Sequence, residues 1–389
     1  MTKFQFAVDG NEANCSKRVG SNVYAFQILT EMAKIVKDEK NTEVTVLLAE
    51  PPAKDMPLES YHWQYRVIGP KKFWTQLAAP WHLYTHQLDY QVYYTPGHYA
   101  PRFCSVPYVS SVMDLAFLKF PEQFQKNDLI QLKKWTKYSV KNASKVIAIS
   151  QFTKNEVIEQ YQLPESMVEV VYPSTSFPDK SATKAELIKY LRQFDIKLPY
   201  FLYLGTLQPR KNLQNLVKAY ELFYEEQLAK KVEPNKLPQL IIGGKVGWLA
   251  EEIISTIKKS KYSKNIILTD YISNEYKAEL YKEALATILV GFYEGFGIPP
   301  LESIQIGTLP IVSSNSSLPE VVGPAGLLVN PYKPKSIADA LSQAYEMPAS
   351  QLKILKEKMI TQRAKFSWNR SAEHVLEILA DVAQKNASF

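Results

Sequence analysis

An α/β architecture of two doubly wound units, each a parallel sheet flanked by helices, is what the sequence predicts. Three observations carry the prediction. Short apolar runs alternate with helically periodic stretches along the whole chain, the rhythm of parallel strands joined by crossover helices. The chain has 389 residues, too many for one ordinary core. The polar stretch Ser174 to Ser181, framed by Pro173 and Pro178, divides it near the middle and reads as a linker.

The run Phe4 to Val8 reads as a buried first strand. After a polar loop with Gly10 and Gly20, a helix is expected from Asn22 to Lys37, because Val23, Phe26, Ile28, Leu29, Met32 and Ile35 recur at helical spacing. Glu43 to Leu48 and Tyr65 to Ile68 read as the next strands. No G-x-G-x-x-G lies between Asp9 and Tyr24, so the first loop lacks a dinucleotide fingerprint. Gly20 suits a ligand approaching the backbone and equally a plain loop. From Phe73 to Phe103 the chain turns aromatic, with Trp74, Trp81, Tyr84, Tyr90, Tyr93, Tyr94 and Tyr99, and with His82, His86 and His98 among them. These read as core and rim aromatics, or as a face that stacks on sugar rings or touches a membrane interface. None of the histidines stands in an HExxH context, so no metal site is expected.

Val106 to Val112 is another strand, which delivers Met113-Asp114 to its carboxyl end, where open α/β sheets bind ligands. The helix from Lys126 to Asn142 starts a series of lysines, Lys133, Lys137, Lys141 and Lys145, at four-residue intervals. Such a stripe is a solvated helix face, or a dock for anionic lipid head groups. Val146 to Ile149 is a strand with Ser150 capping the helix behind it, and Val168 to Val171 closes the first half.

The second half opens with the strand Phe201 to Leu204. It is followed by Gly205-Thr206-Leu207-Gln208-Pro209-Arg210-Lys211-Asn212 and a helix. Two cations at a helix entrance oppose the helix dipole unless an anion is shared between them, which argues for a diphosphate gripped by Arg210 and Lys211. Leu240 to Ile242 with Gly243-Gly244 and Ile266 to Leu268 ending at Asp270-Tyr271-Ile272 come next. A helix from Tyr276 to Ala286 then leads into the strand Thr287 to Val290. That strand presents Glu294-Gly295-Phe296-Gly297-Ile298-Pro299-Pro300-Leu301-Glu302, a helix opening at Pro299 or Pro300 and closing at Gly307. Its glycines admit a ligand close to the backbone, its helix start is an anion site, and its two acids suit sugar hydroxyls better than phosphate. Glu302 is expected in the first helical turn. The stretch describes a site for a phosphorylated sugar, or equally an acid complementing the helix dipole behind a tight Gly-Phe-Gly turn. Leu309 to Val312 is the next strand, and helices fill the rest, ending in an amphipathic stretch from Trp368 to Ala383.

Composition narrows the class. Hydrophobic content of 46% and charged content of 22% fit a globular protein, with no apolar run long enough to span a bilayer. Cys15 and Cys104 are too few and too far apart for a disulfide framework or a zinc site. The N-terminus reads as a strand rather than a signal peptide, so a cytoplasmic location is the expectation. A net charge of +7 favours anionic ligands or an anionic surface, but no zinc-finger spacing, Arg-rich tail or ribonucleoprotein motif points to nucleic acid.

The order Gly205…Pro209-Arg210-Lys211-Asn212, then Glu294-Gly295-Phe296-Gly297…Glu302, then Ser316-Ser317-Leu318-Pro319-Glu320 resembles the retaining glycosyltransferases of family 4. Met113-Asp114-Leu115 with Phe120-Pro121-Glu122, and Val146-Ile147-Ala148-Ile149-Ser150, are also similar to that family. The resemblance covers essentially the whole chain and is strongest from Tyr200 to Pro331. It implies the GT-B fold, two facing Rossmann-like domains with an interdomain cleft. It also implies an acceptor-side domain over residues 1–175, a nucleotide-sugar domain over 176–365, and a C-terminal helix over 366–389 that crosses back to the first domain. Arg210 and Lys211 would neutralise the diphosphate of the donor, Glu302 would bond the ribose and Glu294 the donor sugar. Gly295, Phe296, Gly297 and Ile298 would supply backbone groups, with the base near Tyr271 and Ile272, and with Gly205, Thr206 and Leu301 completing the donor side. Gly20, Asp114, His98 and the aromatic stretch would face a glycan or lipid-linked acceptor. No metal or other cofactor is expected, since no Asp-x-Asp occurs and cations with a helix start can stabilise the leaving phosphate. Peripheral contact with an anionic inner membrane face is permitted. Many members of that family carry histidine where this chain has Met113, which bears on the acceptor-side chemistry. The alternative is a nucleotide-sugar-binding or scaffold protein with weakened catalysis.

Overall fold

Thirteen strands among the described residues form two separate, wholly parallel sheets. The computed structural model describes residues 3–387 except 40, 98 and 179. The chain divides into one compact unit of Met1–Pro173 with Phe366–Phe389, and a second of Ser174–Lys365.

The first unit holds β1 (Phe4–Asp9), β2 (Thr42–Leu48), β3 (Trp63–Val67), β4 (Val92–Thr95), β5 (Tyr108–Val112), β6 (Lys145–Ala148) and β7 (Val168–Val170) in the order β3-β2-β1-β4-β5-β6-β7. Sequence periodicity missed β4, because Val92-Tyr93-Tyr94-Thr95 lies inside the aromatic stretch. Tyr93 and Tyr94 are fully buried, and β4 sits at the middle of the sheet between β1 and β5. The aromatic stretch therefore divides. Trp74, Tyr90, Tyr93 and Tyr94 are core, while Trp81, Tyr84 and Phe103 face solvent. The helix Lys126–Asn142 forms, but Lys145 is not on its line. It opens β6, where its ammonium lies 2.8 Å from Glu169, so the lysine stripe ends at Lys141. The helix Trp368–Ala387 packs on the helix Ser21–Asp38, with the Trp368 and Tyr24 rings 6.0 Å apart. Ser371 Oγ donates to the Tyr172 carbonyl at 2.6 Å.

The second unit holds β8 (Tyr200–Leu204), β9 (Gln239–Gly243), β10 (Ile266–Thr269), β11 (Ala286–Leu289), β12 (Leu309–Ser313) and β13 (Leu327–Val329), ordered β10-β9-β8-β11-β12-β13. Side chains alternate between two cores, as a sheet buried on both faces requires. Phe201, Tyr203, Leu240 and Ile242 join the helices Leu213–Ala229 and Pro334–Tyr345 on one face. Tyr200, Leu202 and Ile241 join Leu187, Leu191, Leu280 and Tyr281 on the other. In each sheet the order of strands reverses once, between β1 and β4 and between β8 and β11. Loops leaving the carboxyl ends on either side of such a reversal enclose the usual ligand site of an open α/β sheet.

Candidate active site

At the reversal in the second sheet, neighbouring strands bring together residues more than eighty positions apart. β8 and β11 pair with Phe201 opposite Ala286 and Leu202 opposite Thr287. The loop after β8 makes a single tight turn, Pro209–Lys211, and reaches the helix Leu213–Ala229 through Asn212. Asn212 adopts a left-handed backbone (φ 62°), which Asn tolerates better than most residues. Its buried amide donates to the Val290 carbonyl at 2.8 Å and the Pro331 carbonyl at 2.7 Å. The Phe292 N–H donates to the Arg210 carbonyl at 2.8 Å. These bonds fasten the cationic turn to the loop after β11.

The Lys211 ammonium consequently lies 2.6 Å from Glu294 Oε1, and Arg210 Nη1 lies 3.8 Å from Oε2 while donating to the Tyr293 carbonyl at 3.3 Å. Glu294 is 7% exposed. The anion that the two cations share here is thus a carboxylate of the same protein. A loop after β12 secures the acid. Ser317 Oγ donates to the Glu294 and Phe296 carbonyls at 2.8 and 2.7 Å, Ser316 Oγ accepts from the Glu294 N–H at 3.2 Å, and Ser313 Oγ donates to the Gly291 carbonyl at 2.7 Å. The serines were legible as a motif; their task as clamps was not, since nothing local in sequence relates them to residue 294.

The helix expected after Glu294 runs over Ile298–Ile306, entered through Gly297 at φ 108° and closed by Gly307 at φ 90°. A Cβ on Gly297 would stand 2.6 Å from Leu318 Cδ2, so glycine is required there on two grounds. The start offers fewer N–H groups than a generic helix. Pro299 and Pro300 have none, and the Leu301 N–H bonds the Gly297 carbonyl. Backbone donors to an anion must come from residues ahead of Pro299. Glu302 is the fifth helical residue, in the second turn rather than the first. It is 4% exposed, with Lys277 Nζ at 2.5 Å from Oε1 and Tyr281 Oη donating to Oε2 at 2.7 Å. Burial and the neighbouring Glu302 charge push the Tyr281 phenol well above its ordinary value, so it stays a donor. Lys277 and Tyr281 stand one turn apart on the helix Asn274–Glu283, which places both opposite Glu302. Neither was singled out from the sequence; both lie on a helix that reads as ordinary and polar.

Other residues were expected on the donor side. Tyr271 is exposed and donates to Asn274 Oδ1 at 3.3 Å, at the mouth of the helix carrying Lys277. The side chains of Ile272, Phe296 and Leu301 are buried, which leaves only their backbone groups to meet a ligand if one binds there. Gly205 bonds the Gly243 carbonyl and Thr206 is exposed beside it, with Ile298 half-buried at the helix start. In the first unit, Gly20 precedes the helix Ser21–Asp38 at φ 55°, and Asp114 Oδ1 accepts from the Ala116 N–H at 2.9 Å just beyond β5. Met113 is buried. His98 lies outside the described residues. Among the described residues, no group of three or more His, Cys, Asp or Glu is placed to hold a metal ion, and no helix is long and apolar enough to cross a membrane.

Asp9, at the carboxyl end of β1, was not singled out from the sequence. Burial raises its carboxyl to about 6, against the bonds its Oδ1 accepts from the Asn11 N–H and Nδ2 at 3.0 and 2.8 Å. A carboxyl raised in the folded state binds protons that the unfolded chain has released, so this group's contribution falls as pH rises from about 4 to about 6. Asp9→Asn, which keeps the acceptor oxygen, is expected to gain about 2 kcal/mol relative to wild type at pH 7.5 compared with pH 4. Urea unfolding at both values checks this; a pH-independent difference would refute the buried charge.

The comparisons with known proteins fit this geometry. The family model described as Glycosyltransferase Family 4 matches residues 20–175, and that described as Glycosyl transferases group 1 matches residues 189–381. The O-antigen chain mannosyltransferase B of Escherichia coli is 28% identical over 306 residues, 78% of this chain and 76% of that protein. The serotype-specific mannosyltransferase WbdA of Escherichia coli is 29% identical over 246 residues, 60% of this chain but only 28% of that longer protein. Among solved structures, a sucrose-phosphate synthase from Thermosynechococcus elongatus covers 100% of both chains at TM-score 0.71 and 17% identity. Anabaena Alr3699/HepE, solved with UDP and glucose, covers 97% of this chain and 99% of its own at TM-score 0.69 and 17% identity. At such identity the structures establish the fold alone. Two family matches that between them run from residue 20 to residue 381, and a reversal of strand order in each sheet, lead to one conclusion: the chain belongs to the group 1 and family 4 glycosyl transferases, enzymes of the GT-B fold.

Proposed function

We propose that the protein is a retaining, metal-independent hexosyltransferase that moves mannose from a nucleoside diphosphate sugar to a glycan or lipid-linked acceptor. The observation that carries this reading is the Arg210–Lys211 turn fastened beside Glu294 at the strand-order reversal. Breaking an anomeric bond to a diphosphate develops negative charge on the leaving oxygen. Two preorganised cations stabilise that charge without reorganising as the bond breaks. Glu294 then accepts from hydroxyls of the donor sugar, and Glu302, held by Tyr281 and Lys277, accepts from the ribose. The choice of mannose is supported by the names of the relatives, several of which are mannosyltransferases.

On the acceptor side, the Met113 thioether cannot move a proton. In this reading the acceptor hydroxyl yields its proton to the leaving phosphate, and Asp114, whose Oδ1 accepts from the Ala116 N–H, is the first unit's acid for binding the acceptor. The protein acts as an enzyme of polysaccharide assembly at the inner membrane face.

The first test is thermal unfolding of the purified protein with uridine, guanosine, adenosine and thymidine diphosphates, each with and without a chelator. A ligand bound only by the folded state at a hundred times its dissociation constant stabilises by about 2.7 kcal/mol. One diphosphate is expected to raise the unfolding temperature equally with and without chelator, and its mannose conjugate to support transfer with the α configuration kept. No shift with any diphosphate overturns the Arg210–Lys211 assignment. Loss of the shift on chelation overturns metal independence.

A further inference from the structure

We infer that the surface segment from Lys71 to Leu88 is a docking face for an anionic phospholipid bilayer. The segment follows the edge strand β3 and contains the helix Ala78–Thr85. The Leu77 N–H donates to the Phe73 carbonyl at 2.8 Å, and the Trp81 N–H donates to the Leu77 carbonyl at 3.1 Å. Leu77, at the helix entrance, and Trp81 therefore stand one helical turn apart, and Phe73 lies in the turn that leads into the helix. Tyr84 comes three residues later with its ring centroid 6.4 Å from that of Trp81, and Leu88 four residues after that. All five are between 54% and 94% exposed. The opposite side of the same segment, Trp74, Ala78, Ala79 and Leu83, is buried in the core of the first unit.

Single exposed apolar residues need no explanation. A row of five does, since a helix apolar on all sides is ordinarily enclosed by something. Phe73 adds to this: its backbone is left-handed (φ 59°), uncommon for an aromatic residue, and its ring is turned to solvent instead of the core.

Charge decides the occupant. From Ser60 to Leu88 the chain contains no Asp or Glu, while Arg66, Lys71 and Lys72 are exposed at the edge of the row. The Lys72 ammonium lies 5.2 Å from the Phe73 ring centroid, and Lys71 pairs with the exposed Glu50, a pairing of little strength in water. Trp and Tyr rings between apolar chains and cations match the head-group zone of a bilayer, and the lysines supply attraction to anionic lipid.

The test is co-sedimentation of the full chain with vesicles of phosphatidylglycerol and phosphatidylethanolamine, and separately of phosphatidylcholine. Binding to the anionic vesicles at least tenfold tighter than to the zwitterionic ones is expected. Trp81→Ser with Leu88→Ser should weaken it about tenfold or more, and Lys71→Glu with Lys72→Glu should weaken only the anionic preference. Because these side chains face solvent, both variants should unfold at the wild-type temperature, which separates lost binding from lost fold. Lys133→Glu with Lys137→Glu should bind as wild type. Failure of the wild-type protein to sediment with anionic vesicles, or equal binding by the Trp81 and Leu88 variant, would overturn the inference. So would a dimer in sedimentation velocity that this variant dissolves, since the face would then belong to a second copy. None of these readouts uses a sugar donor, so they fail or succeed independently of the transferase reading.

Discussion

Lys211→Ala and Glu294→Ala should each reduce the turnover number by about a hundredfold or more, the range seen when one preorganised charge-stabilising group is removed. The reason is that each member of the pair has a separate task in the proposed reaction. Lys211 faces the charge that develops on the leaving phosphate, and Glu294 faces the donor sugar. In the structure they also hold each other, at 2.6 Å and largely out of water. Removing one takes away the other's 2.6 Å partner, with a stability loss of up to about 3 kcal/mol for a buried pair broken on one side, less for Lys211→Ala because Arg210 stays 3.8 Å from Glu294. The double variant Lys211→Met with Glu294→Gln, which removes both charges of the pair and leaves Arg210 on the Tyr293 carbonyl, should recover most of that stability while remaining inactive. Steady-state kinetics beside urea unfolding distinguishes the two roles. Wild-type turnover in either single variant would remove the residue from the mechanism.

Asn212→Ala is expected to destabilise the second unit by about 2–3 kcal/mol, combining the lost hydrogen bonds with a left-handed backbone that alanine resists. The amide serves two carbonyls, but they are not equally dependent on it. Pro331 also accepts from Asn215 Nδ2 at 3.2 Å, whereas the Val290 carbonyl loses its bond from the Asn212 amide. Asn212→Gly keeps the backbone geometry and removes only the side chain, so the difference between the two variants isolates the conformational part. Both should also slow transfer, because Asn212 ties the Arg210–Lys211 turn to the loop that carries Glu294. Thermal unfolding with activity measured on the same preparations checks this. An Asn212→Ala variant as stable as wild type would show that the turn is held elsewhere.

Much of the fold was legible because its signals are local. Pro299 and Pro300 at a helix start and Gly307 at its end marked the helix Ile298–Ile306 to within one residue or two. Lys126–Asn142 was bounded by its own periodicity. β4 was not legible, since Tyr93 and Tyr94 sit among so many other aromatic residues that neither period stands out, and only pairing with β1 and β5 identifies the strand. The lysine series misled for the opposite reason. Its four-residue interval runs past the end of the helix into β6, and spacing alone contains no mark for that change.

The sequence by itself determined the class of this protein: the two-unit α/β plan and the ordered motifs at Arg210-Lys211, Glu294 and Ser316-Ser317, from which the expectation of an anionic sugar ligand arose. Those properties depend on residue type and short spacing, which a chain states directly. Only the tertiary structure decided which groups meet. It set Lys211 against Glu294, Lys277 and Tyr281 against Glu302, Asn212 against Val290 and Pro331, and Ser317 against the Glu294 loop. It also decided which aromatics are buried and which form the exposed row from Phe73 to Leu88. The physical reason is that these contacts join residues about twenty to one hundred and twenty positions apart or separate two faces of one helix. Both are settled by how strands order themselves in a sheet, not by any pattern along the chain.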